Sequence, residues 1–107
     1  MAIHDFLTNI YNRRKMEEML INEYNRYERY KIPYSLILFD IDDFKLINDS
    51  FEHKTGDEVL KLISKLVREN IRKSDVFGRL DGEEFLIILF KMTVAEAYDV
   101  AEKSHDY

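Results

Sequence analysis

The chain contains no cysteine. Disulfides, thiolate metal sites and cysteine nucleophiles are therefore excluded. It also lacks a long hydrophobic run. The longest uniform apolar stretch, Phe85–Phe90, is far short of the roughly 20 residues that a membrane helix needs. Met1-Ala2-Ile3-His4-Asp5 has neither the basic start nor the apolar core of a secretion signal. Positive charge is in deficit, with 16 basic against 21 acidic residues and a net charge of -5. That balance argues against a nucleic-acid binder with a basic stripe. No internal repeat, low-complexity stretch or Gly/Ser linker interrupts the chain. These absences describe a soluble domain that makes no membrane contact of its own and is expected in the cytoplasm.

What is present is enough for one small domain with a core: 107 residues, 46% of them hydrophobic. From about Asn12 to Lys31, Met16, Met19, Leu20, Tyr24, Tyr27 and Tyr30 recur at helical spacing. Pro33, the only proline, ends this helix and pushes Ile32 towards an extended conformation. Tyr34 to Asp40 is an apolar run of strand length. Being apolar on both faces, it is expected at the centre of a sheet. Phe44 to Asp49 is compatible with a short helix.

Thr55 and Glu58 have capping-box spacing, which predicts a helix with Thr55 as its N-cap. That helix buries Val59, Leu60, Ile63, Leu66, Val67 and Ile71. Val76 to Leu80 and Glu84 to Phe90 read as a hairpin around Asp81-Gly82, a favoured type I′ pair. Thr93 and Glu96 form a second capping box ahead of a last helix. The pattern is α/β, with a largely antiparallel sheet flanked by helices. A both-faced strand with only one hairpin to flank it reads as a sheet incomplete at the C-terminus.

The chemistry lies at strand ends. Asp40 ends the first strand, within Asp40-Ile41-Asp42-Asp43, while Glu83 and Glu84 follow the Asp-Gly turn. If the two strands pair antiparallel, three carboxylates converge and repel. A divalent cation relieves such repulsion, and together with a nucleoside triphosphate it makes a phosphoryl-transfer site. A solvated acidic rim is the alternative fate of a carboxylate pair.

Four segments carry a resemblance. Asp5-Phe6-Leu7-Thr8-Asn9-Ile10-Tyr11-Asn12-Arg13-Arg14, Phe39 to Asp49, Glu52 to Asp57, and Arg79-Leu80-Asp81-Gly82-Glu83-Glu84-Phe85 together resemble the motifs of GGDEF domains, the diguanylate cyclases. The resemblance implies a single partial GGDEF domain over residues 1–107, with a cyclase, palm-like (ferredoxin-like) sheet. It implies condensation of two GTP molecules into cyclic di-GMP with release of pyrophosphate, by two such domains in a homodimer. It also implies that Asp40, the carbonyl of Ile41 and Glu83 hold Mg²⁺ or Mn²⁺, with Glu84 beside the metal. Asn48 and Asp57 would then read guanine, and Lys45 with the amides of Asp43 and Phe44 would hold phosphate, with Gly82 beside the triphosphate. Arg72 and Asp75 fit the family's inhibitory product site, where arginine and carboxylate engage guanine. His53 matches a family histidine with no direct chemical role. The tyrosines of the first helix read as core and amphipathic surface, not as a base-stacking platform.

Three departures from the family pattern bear on function. Asp81 stands where the family has glycine. A carboxylate about 5 Å from a phosphate charge costs roughly 3 kcal/mol at an effective dielectric of about 20. Asn9 and Glu52 also replace glycines, at loops where positive φ is called for. Asn tolerates that conformation and Glu does so poorly. The family's later strands and basic helix have no counterpart here. Two readings follow: a diguanylate cyclase domain, and a degenerate, non-catalytic module that binds GTP or cyclic di-GMP.

Overall fold

A computed structural model describes residues 2–41 and 53–105 of the chain. Asn12 opens the first helix, α1 (Arg13–Tyr30), by accepting from the Lys15 amide at 2.9 Å. This is an N-cap that satisfies one of the orphan donors. Lys31 closes the helix in the left-handed conformation (φ 56°), its N–H donating to the Tyr27 carbonyl. Pro33 lies just beyond, and β1 (Tyr34–Asp40) begins at the next residue.

The second helix, α2 (His53–Asn70), starts three residues earlier than the Gly56 start that Thr55 as N-cap predicts. Thr55 therefore lies inside the helix and is not its N-cap. The apolar face is as expected. Leu60 and Val67 are buried, and Val59, Ile63, Leu66 and Ile71 are half-buried. Ser64 is buried beside them and donates its hydroxyl to the Leu60 carbonyl at 2.8 Å, so its burial leaves no unpaired donor.

β2 (Val76–Arg79) and β3 (Glu84–Phe90) form the antiparallel hairpin. The last helix, α3 (Val94–His105), carries its capping box as read. Glu96 accepts from the Thr93 amide at 3.0 Å, and Thr93 Oγ1 accepts from the Glu96 amide at 3.3 Å.

The strand order among the described residues is β1-β3-β2, all antiparallel. This corrects the central place expected of Tyr34–Asp40. β3 is central, and Phe85 to Leu89 are buried on both faces. β1 is covered on one side only. Ser35, Ile37 and Phe39 turn inward, whereas Leu36 and Leu38 remain 46% and 61% exposed. The reason is packing: α1 lies chiefly over β2 and meets β1 at Tyr34, whose ring stands edge-on to Tyr27.

Two apolar layers result. Leu60 and Val67 of α2 and Ala97 of α3 pack with Phe77, Phe85, Ile87 and Leu89 on one face of the sheet. The rings of Phe39, Phe77 and Phe85 stack there, with centroids 5.3–6.2 Å apart. Met16 of α1 meets Val76, Leu86 and Ile88 on the other face. The edge of β2 is covered by the N-terminal segment. The Tyr11 amide donates to the Phe77 carbonyl at 3.3 Å, and the Arg79 amide donates to the Tyr11 carbonyl at 2.9 Å. Asn9 takes positive φ (62°), as its replacement of a family glycine requires.

Candidate active site at the ends of paired strands

The β1–β3 register sets Asp40 directly opposite Glu84. Directly opposed residues in an antiparallel pair have Cβ atoms about 5 Å apart, and like charges there are destabilising. The pairing runs one step further, since the Ile41 amide donates to the Glu83 carbonyl at 3.2 Å. A cavity of about 250 Å³ opens at this point, lined by Asp40, Asp81, Gly82, Glu83 and Glu84. Among the described residues, all that line it except Gly82 are acidic, and the Arg13 charge acts on Asp81 and Glu84 from nearby. The sheet thus brings together the three carboxylates singled out from sequence and adds Asp81 to them.

The turn itself differs from expectation. Neither Asp81 nor Gly82 has a positive φ, so the type I′ geometry does not form. The Glu84 amide donates to the Asp81 carbonyl, and the Asp81 amide to the Glu84 carbonyl, each at 3.3 Å. The turn is therefore centred on Gly82 and Glu83, one residue later than read. Asp81 occupies the first turn position, where Asp is favoured, and its Oδ1 accepts from the Gly82 amide at 2.8 Å. The Arg79 guanidinium holds the same loop from behind, donating to the carbonyls of Asp81 and Gly82. Type rules based on two turn residues leave out such a contact.

Asp42, Asp43, Phe44, Lys45, Asn48 and Glu52 lie outside the described residues. Asp57 is exposed near the start of α2. Among the described residues no three His, Cys, Asp or Glu side chains are drawn close enough to hold one metal ion.

Arg72 and Asp75 meet, but as partners of each other. The Asp75 side chain is 1% exposed. Its carboxylate accepts from the Arg72 amide at 2.9 Å, from Nε at 3.1 Å and from Nη2 at 2.8 Å. Nη2 also donates to the Phe90 carbonyl at 2.8 Å. These bonds to Asp75 hold the Arg72 guanidinium above its ordinary pKa. Arg72 is the more exposed member of the pair. It borders a cavity of about 330 Å³ that also meets Arg68, Lys73 and the stacked rings of His4 and Tyr11, whose centroids are 5.2 Å apart.

Sequence reasoning missed two residues near the candidate site. Arg79 and Asp5 form an ion pair at 3.2 Å, 18% and 21% exposed. Asp5 also accepts from the Thr8 amide at 2.9 Å and from the Thr8 hydroxyl at 2.7 Å. Burial pushes the Asp5 carboxyl up, but the two Thr8 bonds and the Arg79 charge outweigh it and hold the group below its ordinary value. The Asp5-x-x-Thr8 spacing was a usable signal for the local turn. Nothing in the sequence pairs Asp5 with a residue so distant along the chain.

Three antiparallel strands between helices, with acidic residues gathered where two strands end, define a partial α/β cyclase fold. Residues 2–106 match the family described as "Diguanylate cyclase, GGDEF domain", and the chain belongs to that family. It is 36% identical over 106 residues to the "Probable diguanylate cyclase DgcC" of Escherichia coli K12, covering 99% of this chain and 29% of that protein. It is 43% identical over 103 residues to a "Diguanylate cyclase" of Vibrio cholerae, covering 96% of this chain and 32% of the relative. Among solved structures, it is similar to the diguanylate cyclase SiaD of Pseudomonas aeruginosa, solved in complex with its activator SiaC. That match has a TM-score of 0.93 and 38% identity, over 98% of this chain and 40% of that one. It is also similar to the GGDEF domain of DgcB from Caulobacter crescentus, solved in complex with c-di-GMP (TM-score 0.93, 28% identity, 97% and 61% covered). The chain thus spans about a third of the length of these two relatives. No helix among the described residues is long and apolar enough to cross a membrane.

Proposed function

We propose that this domain binds GTP with a divalent cation and carries the diguanylate cyclase half-site. Two GTP-loaded copies would meet to form cyclic di-GMP and release pyrophosphate. The observation that carries this reading is the Asp40–Glu84 register, which faces two carboxylates across a cavity that Glu83 and Asp81 also line. The donor set fits Mg²⁺ or Mn²⁺, being oxygen only. Asp40, the Ile41 carbonyl and Glu83 would hold the ion, whose chemistry is to neutralise phosphate charge and favour attack by the 3′-hydroxyl. Glu84 would act beside it. Asn48 and Asp57 would select guanine, Lys45 with the amides of Asp43 and Phe44 would bind phosphate, and Gly82 would leave room for the triphosphate.

The test is incubation with GTP and Mg²⁺ or Mn²⁺, followed by mass spectrometry for cyclic di-GMP. GTP affinity is measured in parallel by calorimetry. GTP binding that requires the cation and collapses in Asp40→Asn supports the assignment. Equally strong metal-independent binding would sink it.

A second reading is a non-catalytic module that binds GTP or cyclic di-GMP. One observation favours it: Asp81, in place of the family's glycine, adds its carboxylate to the same cavity. On this reading Arg72 and Asp75 form the cyclic di-GMP site, and Asp75 must be released from Arg72 before it can accept from a guanine. Cyclic di-GMP binding that is lost in Arg72→Ala, with no turnover of GTP, favours this second reading.

A further inference from the structure

We propose that Arg79 is a positioning residue for the carboxylate-bearing turn, and that Asp5 of the N-terminal segment holds it in place. The inference rests on the proposed GTP and metal site in so far as that turn is the one that binds.

All three guanidinium nitrogens are committed. Nε lies 3.2 Å from the Asp81 carbonyl oxygen and 3.1 Å from that of Gly82. Nη2 lies 2.8 Å from the Gly82 oxygen. Nη1 reaches Asp5 Oδ1 and Oδ2 at 3.4 and 3.2 Å. The turn needs this support. The Leu80 amide closes the hairpin with a short bond to the Glu84 carbonyl at 2.8 Å, but the two bonds inside it, between Asp81 and Glu84, are both 3.3 Å, longer than a well-formed amide–carbonyl bond. Asp81, Glu83 and Glu84 repel one another and Asp40, which favours splaying. A cation donating to two turn carbonyls opposes that splaying, and bonds from a charged donor are the stronger kind.

The far end of the relay is also fixed. Asp5 is held by both donors of Thr8, and its amide donates to the Ile10 carbonyl at 2.6 Å. Tyr11 then pairs with β2 on either side of Gly78. A displacement of residues 5–11 would therefore reach the carboxylates through one side chain. Lysine cannot replace it, because a point charge lacks the planar fork that serves a carboxylate and two carbonyls together.

The experiment compares the full chain with Arg79→Gln, Arg79→Lys, Asp5→Asn and the Asp5→Asn/Arg79→Gln double variant. Amide hydrogen exchange is followed by NMR at Leu80, Asp81 and Glu84, with Ile87 and Ile88 as core references. Mn²⁺–GTP affinity is measured by calorimetry. In Arg79→Gln, exchange of the turn amides is expected to rise at least tenfold while the core amides hold, and GTP affinity to fall at least tenfold. Arg79→Lys is expected to restore neither. Asp5→Asn should give a smaller change of the same pattern, and the double variant should be no worse than Arg79→Gln. Unchanged turn exchange in both Arg79 variants overturns the proposal. So does a rise shared equally by turn and core, which would mark Arg79 as merely structural. If Arg79→Gln does not fold, Asp5→Asn and Arg79→Lys decide by the same readouts. Failure of the wild-type chain to bind GTP would overturn the proposed function instead, while the exchange data still decide the positioning role.

Discussion

Gly78 and Gly82 lack side chains for different reasons. A Cβ on Gly78 would collide with the Met16 side chain, against which β2 packs. Gly78→Ala is therefore expected to destabilise the domain by about 1–3 kcal/mol through overpacking. A Cβ on Gly82 would meet nothing within 4 Å, and its φ is not positive. Gly82→Ala is expected to leave stability unchanged or raise it by about 0.4–1 kcal/mol, yet to weaken GTP binding if the turn receives a triphosphate. Denaturant titration and a GTP titration of both variants separate the two roles. Asp5 makes a pH prediction at the same scale. Its folded pKa lies below its ordinary value of 3.8, so between those two values the unfolded chain binds more protons. The stabilisation is complete above about 3.8 and is lost as pH falls through the lower folded value. Asp5→Asn should remove that part of the acid sensitivity, flattening stability against pH below about 4 in acid denaturation curves. A wild-type slope in the variant would contradict it.

At the scale of elements, the same signal proved right once and shifted once. Thr93 and Glu96 satisfy each other at the head of α3, so Thr93→Ala should cost about 1 kcal/mol in thermal unfolding. The capping bonds also lower the Glu96 pKa, the Thr93 amide first. Thr55 has the same spacing to Glu58, but the helix there begins at His53. A capping pattern marks a possible start without forbidding an earlier one. The hairpin is a similar case. Its two strands are readable from Val76–Arg79 and Glu84–Phe90, but its turn falls one residue later than read, with the Arg79 guanidinium donating to the Gly82 carbonyl inside it.

At the scale of the whole molecule, strand position decides what a residue contributes. Leu38 and Leu89 are chemically alike, and both lie on strands apolar on both faces. Leu89 is fully buried on central β3, whereas Leu38 is 61% exposed on β1. Leu89→Ala is expected to cost about 2–5 kcal/mol, and Leu38→Lys within about 0.5 kcal/mol, both read from denaturant midpoints. Equal losses would mean that β1 is covered on both faces in solution.

Local order decided much of the protein from the sequence alone. The period of Met16 to Leu20, the two strands of the hairpin and the Thr93–Glu96 spacing act within a few residues, so they can be read without a fold. The acidic strand ends at Asp40 and Glu83-Glu84 were legible for the same reason, because antiparallel pairing is the simple way to join such strands. Only the tertiary structure decided that β3 lies at the centre, that Asp75 is spent on Arg72 and the Phe90 carbonyl receives its guanidinium, and that Asp5 reaches Arg79. Strand order follows from which faces the helices cover, a sum over the whole core. An ion pair between residues 5 and 79 depends on a closure of the chain that no local pattern encodes.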